Sequence, residues 1–282
     1  MSTFGMPKLE NLFPLRKIMF PAPAPSYTET HEALFYIDRT TYRETAAGAN
    51  AVPAMSALSP RAKLTILYSH GNGCDLAECY GNVTEYSRKL NANVYAYEYP
   101  GYGVTQNTNE VATAEGLRQN CLAVCMYILN SGVLPENLIL LGRSIGSGPT
   151  VFAAKEIQSM AAARGRNIGA VVLISPFTSI RNVAYDMTSL LGLFCPTVFQ
   201  NESILSDMSM CTVPLLLMHG TEDTVILPEN SRTLYKKAST TKKRIVEIKN
   251  TGHNFYETSD MLVAEVQAFL RTRGPVARKK LI

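Results

Sequence analysis

The stretch Gly142-Arg143-Ser144-Ile145-Gly146-Ser147-Gly148 follows the apolar run Asn137-Leu138-Ile139-Leu140-Leu141 and opens a segment of helical period. A serine flanked by Gly142 and Gly146, between a strand and a helix, has the spacing of a nucleophile elbow, a sharp turn that lifts a hydroxyl above the end of a sheet. The glycines have a steric reason, because the serine backbone is strained there and side chains at 142 and 146 would collide with the neighbouring strand and helix. The turn also aims the Ile145 N–H and the helix N-terminus at the place where an oxyanion would form. A phosphate-binding reading of the same glycines fails: no Lys-Ser/Thr follows the last of them, and GxGxxG does not fit over Gly142, Gly146 and Gly148. Taken alone, the motif leaves a nucleophile and a plain turn equally open.

A serine nucleophile needs a histidine to take its proton, and that histidine needs an acid to fix its tautomer. The run Val213 to Met218 is followed by His219-Gly220-Thr221-Glu222-Asp223, and the last strand-like run by Thr251-Gly252-His253-Asn254. Ser144, Asp223 and His253 thus stand in the chain order serine, acid, histidine. Glu222 competes for the acid role, and Asp223 also reads as a turn or N-cap residue before Pro228; the shorter Asp223 carboxylate fits the loop better. His70-Gly71-Asn72-Gly73 follows another strand-like run, and its glycines permit close approach to the serine. The Asn72 N–H is the first choice for a second oxyanion donor and Gly73 the second. His70 and His219, each before a glycine at a strand end, read as packed or hydrogen-bonding structural residues.

The elements that must position these residues follow from periodicity. Short β-branched runs at 64–69, 93–98, 137–142, 169–174, 213–219 and 244–249 predict strands. Segments of helical period at 75–90, 111–130, 145–164, 178–192, 228–238 and 257–271 alternate with them. In the second, Ala114, Leu117, Cys121, Val124 and Ile128 make one apolar stripe. The alternation predicts an α/β fold, a mostly parallel central sheet with helices on both faces and ligands beyond the carboxyl ends of the strands. Residues 44–60 are small and interrupted by Gly48 and Pro53, and read as an exposed loop between two early strands. The organisation expected is a Pro-rich segment over 1–30, a hydrolytic domain over 31–271 and a basic tail over 272–282.

Of 282 residues, 46% are hydrophobic and 18% charged, a globular balance. The formal net charge is +4. Arg271, Arg273, Arg278, Lys279 and Lys280 supply +5 near the end of the chain, which leaves the body at −1 and argues against a nucleic-acid groove. Six cysteines without a CxxC pair predict reduced thiols in an intracellular protein, and Cys121 and Cys125 read as small core residues. No apolar run is long enough to span a membrane.

The segments "SHGNGCDL", "EYPGYGV", "PENLILLGRSIGSGPT", "LISPFTSI", "VPLLLMHGTEDTVI" and "GHNFYE", in that order, resemble the α/β-hydrolase domain-containing protein 17 family, membrane-associated protein depalmitoylases. The resemblance runs from about Pro21 to Phe269. It implies the α/β-hydrolase fold, a Ser144, Asp223, His253 triad with Asp223 rather than Glu222 as the acid, and hydrolysis of long-chain acyl thioesters on protein cysteines. It implies S-acylated proteins as partners and work at the cytosolic face of membranes, with no metal or organic cofactor. The family's N-terminal cysteine cluster has no counterpart before Cys74, and Ser2 replaces the glycine that myristoylation needs, so neither acyl anchor is expected. Leu12 to Phe20 and the basic tail together predict weak contact with an anionic membrane surface. About 36 residues with one helix separate the fourth and fifth strands of the series, too few for a large lid and compatible with a minimal cap. Their apolar run Leu190-Leu191-Gly192-Leu193-Phe194 reads equally as acyl-binding or ordinary core. Hydrolysis of lipid or carboxylic esters, serine peptidase activity and a non-catalytic scaffold are the alternatives.

Overall fold

The computed structural model describes residues 13–187, 195, 197–255 and 257–272. Most of the expected basic tail, the first twelve residues and the run 190–194 lie outside the described residues. A nine-stranded sheet runs in the order β2-β1-β3-β5-β4-β6-β7-β8-β9. Its members are β1 (Leu34–Asp38), β2 (Glu44–Thr45), β3 (Ala51–Ala57), β4 (Thr65–Ser69), β5 (Asn93–Tyr97), β6 (Leu138–Arg143), β7 (Ala170–Ile174), β8 (Leu215–Gly220) and β9 (Lys243–Ile248). From β5 to β9 the neighbours pair in parallel, while β1, β2 and β3 join antiparallel at one edge.

Among the described residues the helices are α1 (Phe13–Met19), α2 (Leu76–Leu90), α3 (Ala114–Asn130), α4 (Ser147–Ala162), α5 (Ile180–Met187), α6 (Asn201–Ser206), α7 (Glu229–Lys237) and α8 (Asp260–Thr272). The central strands bury both faces, as a parallel sheet between helix layers must. Leu67, Leu140, Leu173 and Leu217 pack with α3, α4 and α7, while Tyr68, Leu141, Val172 and Met218 pack with α2 and α8. The stripe predicted on α3 is buried along its whole length, Cys121 included, and Cys125 beside it is buried too. Helix α2 starts at a capping box in which Asp75 accepts the Glu78 N–H and Glu78 accepts the Asp75 N–H.

Two readings need correction. Residues 44–60 are not simply an exposed loop, since they contain β2 and β3, and β3 lies between β1 and β5 with Ala51 to Met55 buried. Pro53 masked this strand, because proline lacks the donor a ladder uses. Its carbonyl still accepts the Glu98 N–H at 2.9 Å, so only half of its pairing capacity is lost. Among its described residues, the segment between β7 and β8 carries two helices, α5 and α6, where one was expected. Helix α6 has six residues, too short for periodicity to reveal.

The chain ahead of β1 packs against the body. Met19, Phe20 and Tyr27 are buried, and Ser26 gives its N–H and its hydroxyl to the Asp75 carboxylate, both at 2.6 Å. The Met19 carbonyl accepts from the Asn72 side-chain amide at 2.9 Å.

Candidate active site

Ser144 stands directly after β6 with φ +52°, the left-handed conformation that an elbow requires. A short 3-10 turn, Ser144–Gly146, carries the chain into α4. The space around this turn dictates both glycines. A Cβ on Gly142 would sit 2.5 Å from Thr150 Oγ1 and 2.6 Å from the Gly146 carbonyl oxygen; one on Gly146 would collide with the carbonyl oxygens of Ser69 and His70. Backbone atoms of β4 cannot yield as a side chain would. Gly146→Ala is therefore expected to destabilise the fold by about 1–3 kcal/mol, visible as a lowered Tm in thermal unfolding.

The structure brings Ser144, His253 and Asp223 into one hydrogen-bonded line. His253 Nε2 is 3.1 Å from Ser144 Oγ, and His253 Nδ1 is 2.7 Å from Asp223 Oδ2. Ser144 and Asp223 are both buried, at 7% and 2% exposure, while His253 is partly exposed. Asp223 Oδ1 accepts the N–H groups of Val225 and Ile226, each at 2.9 Å, which holds the carboxylate edge toward His253. Burial alone would raise the Asp223 pKa. Hydrogen bonds from His219, His253 and the Ile226 N–H outweigh it and hold the carboxyl well below the usual carboxylate range. Glu222, the competing acid, is exposed and has no such place in the line.

The two oxyanion candidates lie in the segments that follow neighbouring strands, one after β6 and one after β4. Ile145 is buried and follows Ser144. Asn72 lies in the loop after β4, whose Ser69 pairs in register with Gly142 of β6. The Asn72 side chain does not point to the serine: its amide donates to the Met19 carbonyl, and its Oδ1 accepts the Tyr102 hydroxyl at 2.7 Å. These bonds tie the Asn72 side chain to α1 and to Tyr102 of the segment after β5. Gly73, the second choice, has φ +74° and is exposed at the loop tip.

Three further residues reach the site, and sequence reasoning gave them no part in it. His219, expected to be structural, is fully buried, and its Nε2 lies 3.1 Å from Asp223 Oδ2 and 2.8 Å from the Ile226 carbonyl, while its Nδ1 pairs with the Ser231 hydroxyl at 2.7 Å. It therefore braces the acid at Oδ2, the same oxygen that meets His253. Arg143, the residue before the serine, reaches the histidine loop, where its Nη2 donates to the His253 carbonyl at 3.4 Å and to Asn254 Oδ1 at 3.3 Å. Its Nε stands 3.8 Å from Glu257 Oε2. Glu257 is buried and accepts from the Tyr68 hydroxyl at 2.6 Å and the Asn82 amide at 2.7 Å. Burial pushes its pKa up against the pull of Arg143 and Tyr68. Arg143 lies within the elbow motif and Glu257 within "GHNFYE", so the only sequence signal was membership in those two stretches.

Arg143 ties β6 to the loop that carries His253, and loss of that tie would shift His253 relative to Ser144. Arg143→Met is expected to lower kcat about tenfold with KM nearly unchanged, which steady-state kinetics on a soluble ester checks.

Comparison with known proteins places this geometry. A family model described as serine aminopeptidase, S33, matches residues 199–259. The human protein named Alpha/beta hydrolase domain-containing protein 17B is 32% identical over 216 residues, which cover 75% of this chain and 68% of that protein. Among solved structures, Est1E from Butyrivibrio proteoclasticus aligns with a TM-score of 0.61 at 16% identity, over 86% of this chain and 98% of its own. The esterase RhEst1 from Rhodococcus sp. ECU1013 aligns with a TM-score of 0.57 at 15% identity, over 86% and 100% respectively. At such identities the structural likeness carries the fold alone, and that fold is the α/β-hydrolase fold. The sequence likeness is closer and spans most of both chains: this protein is an α/β hydrolase that belongs to the alpha/beta hydrolase domain-containing protein 17 family.

Proposed function

We propose that the protein is a serine hydrolase that cleaves long-chain acyl thioesters on protein cysteines through an acyl-enzyme at Ser144. The observation that carries the reading is the unbroken line Ser144–His253–Asp223, at 3.1 and 2.7 Å. Ser144 Oγ attacks the acyl carbonyl while His253 Nε2 takes its proton, and Asp223 stabilises the imidazolium through Nδ1. The N–H groups of Ile145 and Asn72 receive the developing oxyanion, an interaction typically worth about 3–4 kcal/mol per donor. Collapse breaks the C–S bond and His253 returns the proton to the departing sulfur. Water, deprotonated by His253, then frees the fatty acid and restores Ser144.

The thioester substrate follows from the family resemblance, and the short connection between β7 and β8 suits an acyl chain presented on a protein. Partners on this reading are S-acylated proteins. Weak contact with an anionic membrane surface would come from the Leu12 to Phe20 segment together with the basic tail; within that segment Lys17 and Ile18 are exposed on α1, while Met19 and Phe20 are buried in the core. Among the described residues no helix is long and apolar enough to cross a membrane.

The match of residues 199–259 to a peptidase model favours peptide hydrolysis as the second reading. Turnover of acyl thioesters, oxygen esters and aminoacyl peptides, compared across acyl-chain length, separates the two. The expected profile rises with chain length on thioesters; peptide turnover without thioester turnover would overturn the proposal.

A further inference from the structure

Hydrolysis at Ser144 gives no part to the proline-rich chain ahead of β1, yet that chain bonds to the loop after β4 at two points. The loop, residues 70–75, starts against the nucleophile elbow, since the His70 carbonyl is one of the groups that a Cβ on Gly146 would strike. The same carbonyl accepts the Tyr99 hydroxyl at 2.6 Å, which fixes the start of the loop. Its middle and its end are held from the N-terminal side. The Asn72 amide donates to the Met19 carbonyl at 2.9 Å. Three residues on, Asp75 accepts the Ser26 N–H at Oδ2 and the Ser26 hydroxyl at Oδ1, both at 2.6 Å. Asp75 is fully buried, so its carboxylate depends on these donors and on the Glu78 N–H at 3.0 Å.

The chain between the two anchors is stiff. Pro21, Pro23 and Pro25 take every second position between Phe20 and Ser26, and each fixes its own φ, so the span has few conformations to lose on folding. Met19 and Phe20 are buried at one end and Tyr27 at the other. The Tyr27 hydroxyl donates to Glu98 Oε2 at 2.8 Å, the oxygen that also accepts the N–H of Leu76, the first residue of α2, at 2.9 Å. Midway, the Gln106 amide donates to the Pro23 carbonyl at 2.5 Å. A stiff segment pinned at both ends sets the positions of the two loop residues it holds.

We propose that residues 19–27 form a strap that positions the loop after β4 for catalysis, with Ser26 as a positioning residue acting through Asp75 and through the strap's bond to Asn72. This inference rests on the reading of the Asn72 N–H as an oxyanion donor. Such a donor lowers the barrier only when it is already in place as the charge develops. Loosening the strap adds conformations in which the N–H misses the oxyanion, and the loss falls on turnover rather than on substrate binding.

Two variants of the full chain loosen opposite ends. Ser26→Ala keeps its N–H bond to Asp75 and loses the hydroxyl bond, while Asn72→Ala keeps its backbone N–H and loses the tie to Met19. On a soluble ester, well below the unfolding temperature, each is expected to lower kcat about five- to tenfold with KM nearly unchanged. The double variant should lose less than the product of the two, because both act on one loop. Ser26→Thr keeps the hydroxyl and is expected to retain the wild-type kcat. Hydrogen exchange read by mass spectrometry should be faster in Ser26→Ala over residues 70–76 and unchanged over residues 251–255, which carry the histidine. Full kcat in both alanine variants, a Ser26→Thr as slow as Ser26→Ala, or unchanged exchange over residues 70–76 would overturn the proposal. Exchange reads the strap without turnover: a wild type inactive on every ester would defeat the hydrolase reading, and unchanged exchange would defeat the strap.

Discussion

Replacement of Ser144 by alanine is expected to abolish labelling by a fluorophosphonate probe and to lower ester turnover by about 10⁴-fold or more. The size of the effect follows from the role of the hydroxyl. Without Oγ, His253 Nε2 has no nucleophile 3.1 Å away to activate, and what remains is the contribution of the oxyanion donors and of binding. The fold should survive, because alanine is smaller than serine and the elbow is set by Gly142 and Gly146 rather than by the hydroxyl. Thermal unfolding of the variant separates loss of chemistry from loss of structure. Equal labelling of wild type and Ser144→Ala would remove the serine from the reaction altogether.

Asp223→Asn is expected to reduce kcat by about 10⁴-fold through a different cause. Asparagine fits the same space, but its amide is free to donate to His253 Nδ1, which places the ring proton on Nε2, facing Ser144. The histidine is then in the wrong tautomer to act as a base. The change also removes the negative charge beside His219, 3.1 Å from the carboxylate. A stability effect accompanies it, and its sign follows from the pKa. The folded-state pKa of Asp223 is depressed, so its carboxylate stabilises the fold above the unfolded value of about 4, and that contribution is lost as the pH falls through and below this region. The Tm difference between wild type and Asp223→Asn should therefore be widest near neutral pH and shrink on acidification. A difference independent of pH would place the role of Asp223 elsewhere.

Much of this architecture was legible because it is local. The six strands from β4 to β9 except for their end residues, and the helices between them, are written as period-two and period-3.6 apolar patterns, and each of Ser144, Asp223 and His253 comes directly after, or a few residues beyond, a strand. Strand β3 was hidden because Pro53 and small residues mimic a loop, and its burial comes from pairing with β1 and β5, which periodicity does not encode. Arg143 and Glu257 escaped for a related reason: their contact spans more than a hundred residues and depends on how the loop after β9 folds back over β6. His219 was correctly read as a packed residue, yet its second neighbour, Asp223, emerges only when the Ile226 carbonyl closes the turn. The oxyanion loop shows the same division. Its glycines announce a close approach, but the bonds of the Asn72 side chain to Met19 and Tyr102 come from segments far away in sequence.

The most direct test of the central claim is the fate of a palmitoyl-cysteine peptide mixed with the protein, followed by free-thiol release and by intact mass. Hydrolysis at Ser144 predicts steady release of peptide thiol by wild type, a transient palmitoyl adduct that maps to Ser144, and neither with Ser144→Ala. Thiol release by Ser144→Ala at the wild-type rate, or none by wild type that still reacts with the fluorophosphonate probe, would contradict it.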